Sequence, residues 1–262
     1  MKGRRMLGAI TGDIVGSIYE GHNHKSKDFP FFGQGCTFTD DTVCTIAVAD
    51  CLMNDGDFAD FLRRYVRKHP YRGYGGMFRE WAGSNMGPYN SWGNGSAMRV
   101  SPVAHVARDE QELLDLAEQT SVVTHNHPDA VAGAQATALT MWMAKFGIDV
   151  AAIREEISNR FDYNLSPSVD DIRPSYRFDI SCAGTVPQAI TCALEGTDYE
   201  DAVRNAISIG GDADTIACIT GGIAEVMFGL PDEIAEASLG YLTDDLIEVV
   251  DRFQSTKEET FP

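Results

Sequence analysis

The chain has 262 residues, 44% of them hydrophobic, which is enough to bury a sizeable core in one domain or two. Asp and Glu total 39 against 21 Lys and Arg, giving a net charge of -18. A surface this acidic repels duplex nucleic acid and anionic lipid, so we expect neither as a partner.

The cysteines and the N-terminal region bear on the compartment. None of the six cysteines forms a CxxC pair and most lie in apolar stretches, which is typical of reduced core residues in a cytoplasmic protein. Residues 7–18 are largely apolar, but Asp13 and repeated glycines interrupt them, so we do not expect a signal peptide. No apolar run is long enough to cross a bilayer. We therefore expect a cytoplasmic monomer that has no membrane partner.

In chain order, the spacing of apolar residues is helical almost throughout. The first segment, residues 7–18, carries Gly8, Gly12 and Gly16 on one helical face. Because glycine costs helix stability, this stripe indicates close approach of a neighbouring backbone or a ligand. Helical periodicity continues over residues 42–54, 58–68, 110–120, 128–146, 150–161, 185–194, 199–209, 215–228, 232–238 and 243–253.

Two features of this series predict the architecture. Residues 128–146 are rich in alanine and nearly apolar around the whole circumference, so we expect this helix to be central. Residues 72–99 and 162–179 are predicted to be long loops, and loops of that length often carry function. Because convincing alternating strands, repeats and linkers are absent from the sequence, it predicts an all-α fold in a single domain over residues 1–262.

Two short segments carry paired carboxylates beside hydroxyls, each just before an apolar helical run. They are Thr39-Asp40-Asp41-Thr42 and Gly210-Gly211-Asp212-Ala213-Asp214-Thr215. Helix capping alone explains one Asp or Thr at a helix start. Additional carboxylates beside apolar residues are costly to bring together, and a divalent cation removes that cost. Because all these candidate ligands are oxygens, Mg²⁺, Mn²⁺ or Ca²⁺ suits them better than zinc.

Five motifs in a fixed order resemble the ADP-ribosylglycohydrolase family. The resemblance runs from about Leu7 to Gly229 and consists of Gly12-Asp13 with Glu20, Thr39-Asp40-Asp41-Thr42, Gly93-Asn94-Gly95-Ser96-Ala97-Met98-Arg99, Thr124-His125-Asn126-His127-Pro128 and Gly210-Gly211-Asp212-Ala213-Asp214-Thr215. It implies a compact orthogonal helical bundle of the ADP-ribosylglycohydrolase type, with two Mg²⁺ or Mn²⁺ ions in a cleft. It also implies hydrolysis of the bond that joins ADP-ribose to an acceptor.

The resemblance also assigns roles to individual residues. One ion would be held by Thr39, Asp40, Asp41 and Asp214 and the other by Asp212, Asp214 and Thr215 with Asp41 or Glu20. Acid or base catalysis would fall to Glu20 or to a metal-bound Asp40, Asp41 or Asp212. Substrate would contact Tyr74, Gly93, Asn94, Gly95, Ser96, Met98 and His125.

Several alternatives stay open. Tyr74 is either a wall for the adenine ring or a packed loop anchor, and Arg99 pairs either with a phosphate or with an internal Asp. The chain as a whole could be a catalytically inactive ADP-ribose-binding or crystallin-like member of the family, or another binuclear metal hydrolase acting on a phosphoester. The substrate is an ADP-ribosylated protein or small molecule, and arginine, serine, a nucleobase or a small metabolite all remain as acceptors.

Overall fold

The computed structural model describes residues 5–255; the two ends of the predicted domain, residues 1–4 and 256–262, lie outside the described residues. Its regular elements are the helices α1 (Leu7–Gly16), α2 (Asp40–Met53), α3 (Phe58–Lys68), α4 (Gly76–Gly83), α5 (Gly95–Met98), α6 (Val103–Val106), α7 (Glu110–Val122), α8 (Pro128–Lys145), α9 (Val150–Phe161), α10 (Val169–Ile172), α11 (Cys182–Leu194), α12 (Tyr199–Ser208), α13 (Ala213–Phe228), α14 (Asp232–Leu239) and α15 (Asp244–Ser255). Between residues 5 and 255 no strand forms, apart from an isolated bridge between Gly93 and Ser181. The predicted all-α fold is confirmed.

Each predicted helix is present, with ends within three residues of the prediction. The differences are additions, because the predicted loop 72–99 contains α4 and α5 and the predicted loop 162–179 contains α10. The helices α5, α6 and α10 are four residues long, too short to show a periodic apolar face. The helix α4 begins and ends with glycine, a composition that is more typical of loops.

The glycine stripe of α1 packs directly on the backbone of α13. A Cβ atom at Gly12 would lie 1.9 Å from the carbonyl oxygen of Ala217. At Gly8 and Gly16 an added Cβ would come within 2.5 Å of the backbone of α13. The close backbone approach that the stripe indicated is thus between two helices of this chain, and it sets the beginning of α13 beside the end of α1.

The helix α8 lies at the centre of the remaining bundle, as predicted. It packs against α7, α9, α11 and α13, and most of its residues from Ala130 to Met141 are buried. The helix α2 packs against α1 and also contacts α13. The first turns of α2 and α13 therefore meet beside the end of α1, and these turns carry the paired carboxylates.

The six cysteines are all free and buried, consistent with the prediction of reduced core residues. Among the helices of residues 5–255, none combines the length and the apolar composition that a bilayer crossing requires.

Candidate active site

Paired carboxylates from opposite ends of the chain meet at the beginnings of α2 and α13. Asp41 lies in the first turn of α2 and Asp214 in the first turn of α13, and both are buried. One carboxylate oxygen from each, together with one from Asp13, lie within 4.8 Å of one another. Oxygens of Glu20, Asp212 and Asp214 form a second group within the same limit. Asp214 therefore belongs to both three-carboxylate groups.

The local backbone explains how these acids are presented. Gly210 and Gly211 have φ angles of 72° and 83°, a left-handed conformation that glycine adopts without strain, and they turn the chain into α13. Asp212 then occupies the N-cap position of α13, but its side chain caps no amide of that helix. Its carboxylate thus lines the cleft and does not accept a hydrogen bond from the first amides of α13.

Hydroxyls of two threonines flank the carboxylate of Asp41. Its Oδ2 atom lies 3.4 Å from Oγ1 of Thr39 and 3.4 Å from Oγ1 of Thr215. Asp40 lines the cleft beside them, and its backbone amide donates to the carbonyl of Arg72. All the residues predicted to bind metal therefore lie in one neighbourhood, with Asp40 outside both three-carboxylate groups.

Burial and mutual repulsion disfavour the charged forms of these acids. Burial raises the pKa of Asp41 and Asp214 well above their usual range, and the charges of Asp13 on Asp41 and of Asp41 on Asp214 raise it further. Burial and the charge of Asp13 raise the pKa of Asp40 to about 8. Oδ1 of Asp41 is buried without a hydrogen-bond partner among the described residues. Carboxylates in this environment must bind either protons or a cation.

Asp13 is the residue of this site whose role the sequence did not reveal. It is completely buried on α1 and accepts hydrogen bonds from the backbone amides of Thr39 and Thr42 at 2.9 and 3.1 Å. The hydroxyl of Thr39 donates to it at 2.6 Å, and that of Thr42 also donates to it. Asp13 therefore fixes the start of α2. The sequence did contain one signal, because an acidic residue inside an otherwise apolar helix needs buried hydrogen-bond partners.

The cleft above the carboxylates has a volume of about 480 Å³. It is also lined by Gly93, Asn94, Gly95, Met98 and His125, five of the residues for which substrate contact is predicted. The aromatic residues that line it are Phe78, Tyr89, Trp92 and Phe178.

Three predicted substrate residues use their side chains elsewhere. The Asn94 amide donates to Asp212 at 2.6 Å and to Thr185 at 3.1 Å, so it orients a carboxylate of the cleft. The Ser96 hydroxyl is buried and donates to the carbonyl of Ala130 at 2.8 Å. The Tyr74 ring is buried away from the cleft lining, and its hydroxyl donates to the carbonyl of His69 at 2.8 Å. Tyr74 thus has the position of a packed loop anchor.

Of the two partners considered for Arg99 from the sequence, an internal Asp is not the one it contacts among the described residues. Arg99 is fully buried, and it donates to the carbonyl oxygen of Thr120 at 2.7 Å and to the hydroxyl of Thr124 at 2.9 Å. No Asp or Glu of the described chain forms an ion pair with it.

Comparison with known proteins identifies the family of this chain. The sequence model of the family described as ADP-ribosylglycohydrolase matches residues 5–260. ADP-ribosylhydrolase ARH3 of Homo sapiens is 25% identical, over 92% of this chain and 90% of its own. ADP-ribosylarginine hydrolase Tri1 of Pseudomonas putida is 26% identical, over 86% of this chain and 70% of its own.

A solved structure described as an ADP-ribosylglycohydrolase-related protein complex has the same fold. Its TM-score is 0.69 at 22% sequence identity, over 97% of this chain and 95% of that chain. Because the family sequence matches almost the full length and the fold agrees as well, this chain belongs to the ADP-ribosylglycohydrolase family.

Proposed function

We propose that this glycohydrolase cleaves the bond between ADP-ribose and an acceptor group, and that it depends on two divalent cations, Mg²⁺ or Mn²⁺. The observation that carries the proposal is the pair of three-carboxylate groups that share Asp214 on the floor of a cleft. A cleft of about 480 Å³ lies in the usual size range for small-molecule sites.

The donor set suits hard divalent cations. Every candidate ligand is a carboxylate or a hydroxyl oxygen, which favours Mg²⁺ or Mn²⁺ over zinc. The unpartnered Oδ1 of Asp41 and the raised pKa values of Asp41 and Asp214 are what a site built to receive positive charge requires. One ion would be held by Thr39, Asp40, Asp41 and Asp214, and the other by Asp212, Asp214 and Thr215 with Asp41 or Glu20.

When bound, such ions orient the ribose hydroxyls of the substrate, stabilise developing negative charge and lower the pKa of a coordinated water. Among the carboxylates of the cleft, Glu20 is the one that stays exposed to solvent. Burial of part of its side chain raises its pKa, and the charges of Asp212 and Asp13 raise it further. Because it is exposed, Glu20 can exchange a proton with solvent, which a general acid or base requires. We therefore propose Glu20 for that role, with Asp40, Asp41 and Asp212 as ligands beside it.

The far side of the cleft would receive the remainder of ADP-ribose. The amides of Gly93 and Asn94 donate to Ser91 and Ile180, whereas the described residues give the amides of Gly95 and Ser96 no acceptor. Of these two residues Gly95 lines the cleft, so its amide is available to a diphosphate oxygen. The rings of Tyr89, Trp92 and Phe178 would offer apolar surface to the adenine, in place of Tyr74.

The test is a panel of substrates measured with Mg²⁺ or Mn²⁺ and with a chelator. The panel contains ADP-ribosylated arginine, ADP-ribosylated serine, an ADP-ribosylated nucleobase and a simple phosphoester. We expect release of ADP-ribose from at least one ADP-ribosylated compound, loss of that release with the chelator, and no turnover of the phosphoester. Phosphoester turnover alone would identify a different metal hydrolase, and binding of ADP-ribose without turnover of any compound would identify an inactive binding protein.

A matched pair of variants separates the site from a general effect of charge. Asp214→Asn should abolish both metal binding and hydrolysis, because Asp214 belongs to both carboxylate groups. Asp251→Asn makes the same chemical change at an exposed position on α15 and should leave both properties intact. Full activity of the Asp214→Asn protein would refute the proposed centre.

A further inference from the structure

Arg99 directly follows α5, and it is a buried cation that forms no ion pair with an acidic residue of the described chain. Its Nε and Nη2 atoms donate to the carbonyl oxygen of Thr120 at 3.2 and 2.7 Å, and Nη2 also donates to Oγ1 of Thr124 at 2.9 Å. Its Nη1 atom has no hydrogen-bond partner among the described residues. Arg99 is also the only Arg or Lys among the described residues that line the cleft. Burying an unpaired cation has a high desolvation free energy, so we asked which neighbouring groups Arg99 orients.

The hydroxyl of Thr124 connects Arg99 to His125. Oγ1 of Thr124 lies 2.6 Å from Nδ1 of His125. A threonine hydroxyl has one hydrogen to donate, whereas a guanidinium can only donate. The contact with Arg99 therefore uses a lone pair of Thr124 and leaves its hydrogen for another acceptor. In the described part of the chain, Nδ1 of His125 is the one acceptor that this hydrogen has.

An imidazole whose Nδ1 accepts a hydrogen bond and that stays neutral must carry its proton on Nε2. The opposite tautomer would make Thr124 accept twice and would leave its own hydrogen buried without an acceptor. Burial lowers the pKa of His125 well below its usual value, and the charge of Arg99 lowers it further, so the doubly protonated ring is disfavoured as well.

The Nε2 atom of His125 faces the glycine loop of the cleft. A Cβ atom at Gly95 would lie 2.9 Å from it, and one at Gly93 would lie 3.6 Å from it. The backbone of His125 is fixed independently, because its amide donates to the carbonyl of Ser121 at 2.8 Å and its carbonyl accepts from the Ser121 hydroxyl at 2.7 Å. The ring nitrogen thus has a defined position beside Gly95 and Gly93.

We propose that Arg99 and Thr124 are positioning residues that hold His125 as the neutral tautomer protonated on Nε2, so that Nε2–H donates to an oxygen of the bound ADP-ribose. The ligand part of this inference rests on the proposed function, whereas the tautomer does not. Donation from a neutral ring adds a directed hydrogen bond to the cleft without adding charge. Removal of the Thr124 hydroxyl should free the ring to exchange tautomers and should weaken ligand binding.

The experiment is NMR of the ¹⁵N-histidine-labelled protein at pH 7 without ligand, in which the ring nitrogens report the tautomer directly. The His125 signals are assigned by their loss in His125→Asn. We expect the Nε2–H pattern in the wild type and in Thr124→Ser, which keeps the hydroxyl. Thr124→Val, similar in volume, should give a mixture of tautomers and should bind ADP-ribose about five- to tenfold more weakly in calorimetry.

Thr124→Ser separates the loss of the hydroxyl from a loss of packing, because this variant must retain both the wild-type spectrum and the wild-type affinity. An Nδ1–H or doubly protonated His125 in the wild type would overturn the proposal, and so would an unchanged Nε2–H pattern in Thr124→Val. The wild-type NMR pattern is read without substrate. If that pattern is the expected one but ADP-ribose does not bind, the proposed function fails while the tautomer assignment stands.

Discussion

Substitution of Gly12 by alanine tests whether backbone contact between α1 and α13 builds the carboxylate site. The added Cβ would lie 1.9 Å from the carbonyl oxygen of Ala217, while real Cβ atoms essentially never approach closer than 3.0 Å. The obstacle is helix backbone, which cannot rotate away as a side chain would. The two helices must therefore separate locally by at least 1.1 Å, the difference between those distances.

This separation has a cost in stability and a cost at the site. Overpacking of a core typically costs about 1–3 kcal/mol, and a clash between two backbones belongs at or above the upper end of that range. At about 2–4 °C per kcal/mol for a chain of this size, a loss of 3 kcal/mol lowers Tm by about 6–12 °C. Asp13 follows Gly12 directly and holds Thr39 and Thr42, so affinity for Mg²⁺ should fall as well.

Thermal unfolding followed by circular dichroism, with and without Mg²⁺, measures both effects. Gly83→Ala is the matched control, because Gly83 is also helical and an added Cβ there meets no atom within 4 Å. The stability of this control protein should change by no more than about 1 kcal/mol, so its Tm should shift only by the few degrees that correspond to that energy. A Gly12→Ala protein with wild-type Tm and wild-type Mg²⁺ affinity would show that the helices do not touch as described.

Three further outcomes are expected. Burial raises the pKa of Glu225 to about 8, so its ionisation destabilises the folded state increasingly as pH rises from the pKa of the unfolded chain toward 8. In urea unfolding at pH 7, Glu225→Gln should therefore be more stable than the wild type by about 3 kcal/mol, and this gain should vanish near pH 4. The raised pKa values of Asp41 and Asp214 affect stability in the same direction. The Tm of the chelator-treated protein should therefore fall as the pH rises from 5 to 8, and Mg²⁺ should reverse that fall. Tyr74→Phe should cost about 1 kcal/mol of stability, because it removes the hydrogen bond to His69, and should leave the Kd for ADP-ribose unchanged in calorimetry; a weaker Kd would show that the Tyr74 hydroxyl serves the ligand.

The parts of the fold that local pattern determines could be predicted from the sequence. Long amphipathic or apolar helices carry their own periodic signal, and the glycine stripe correctly indicated a close backbone neighbour. The identity of that neighbour was not predictable, because the contact joins residues such as Gly12 and Ala217 that are distant in sequence. The single-turn helices α5, α6 and α10 were missed because four residues do not complete a periodic pattern.

At the site, residue type was predictable but side-chain direction was not. The carboxylates at the starts of α2 and α13 could be singled out as candidate ligands because capping needs fewer acids. Asn94 and Tyr74 belong to segments that reach the cleft, yet their polar atoms bond to Asp212 and to the carbonyl of His69. Those directions depend on tertiary neighbours, which no spacing rule specifies. The same holds for Arg99, whose partners come from the end of α7 and the turn that follows it.

The location of the acids at two helix starts explains why the site needs so many of them. The positive end of a helix dipole stabilises nearby carboxylates but repels a cation brought to the same place. Asp41 and Asp214 both lie in such first turns. The additional negative charge of Asp13, Glu20 and Asp212 offsets that repulsion, and the contact between α1 and α13 forces all five together at a free-energy cost. If the site binds a divalent ion as proposed, the helix packing that creates the repulsion among the carboxylates would also supply the affinity for that ion. The stability of the metal-free protein and its metal affinity should then change in opposite directions when one of these acids is neutralised.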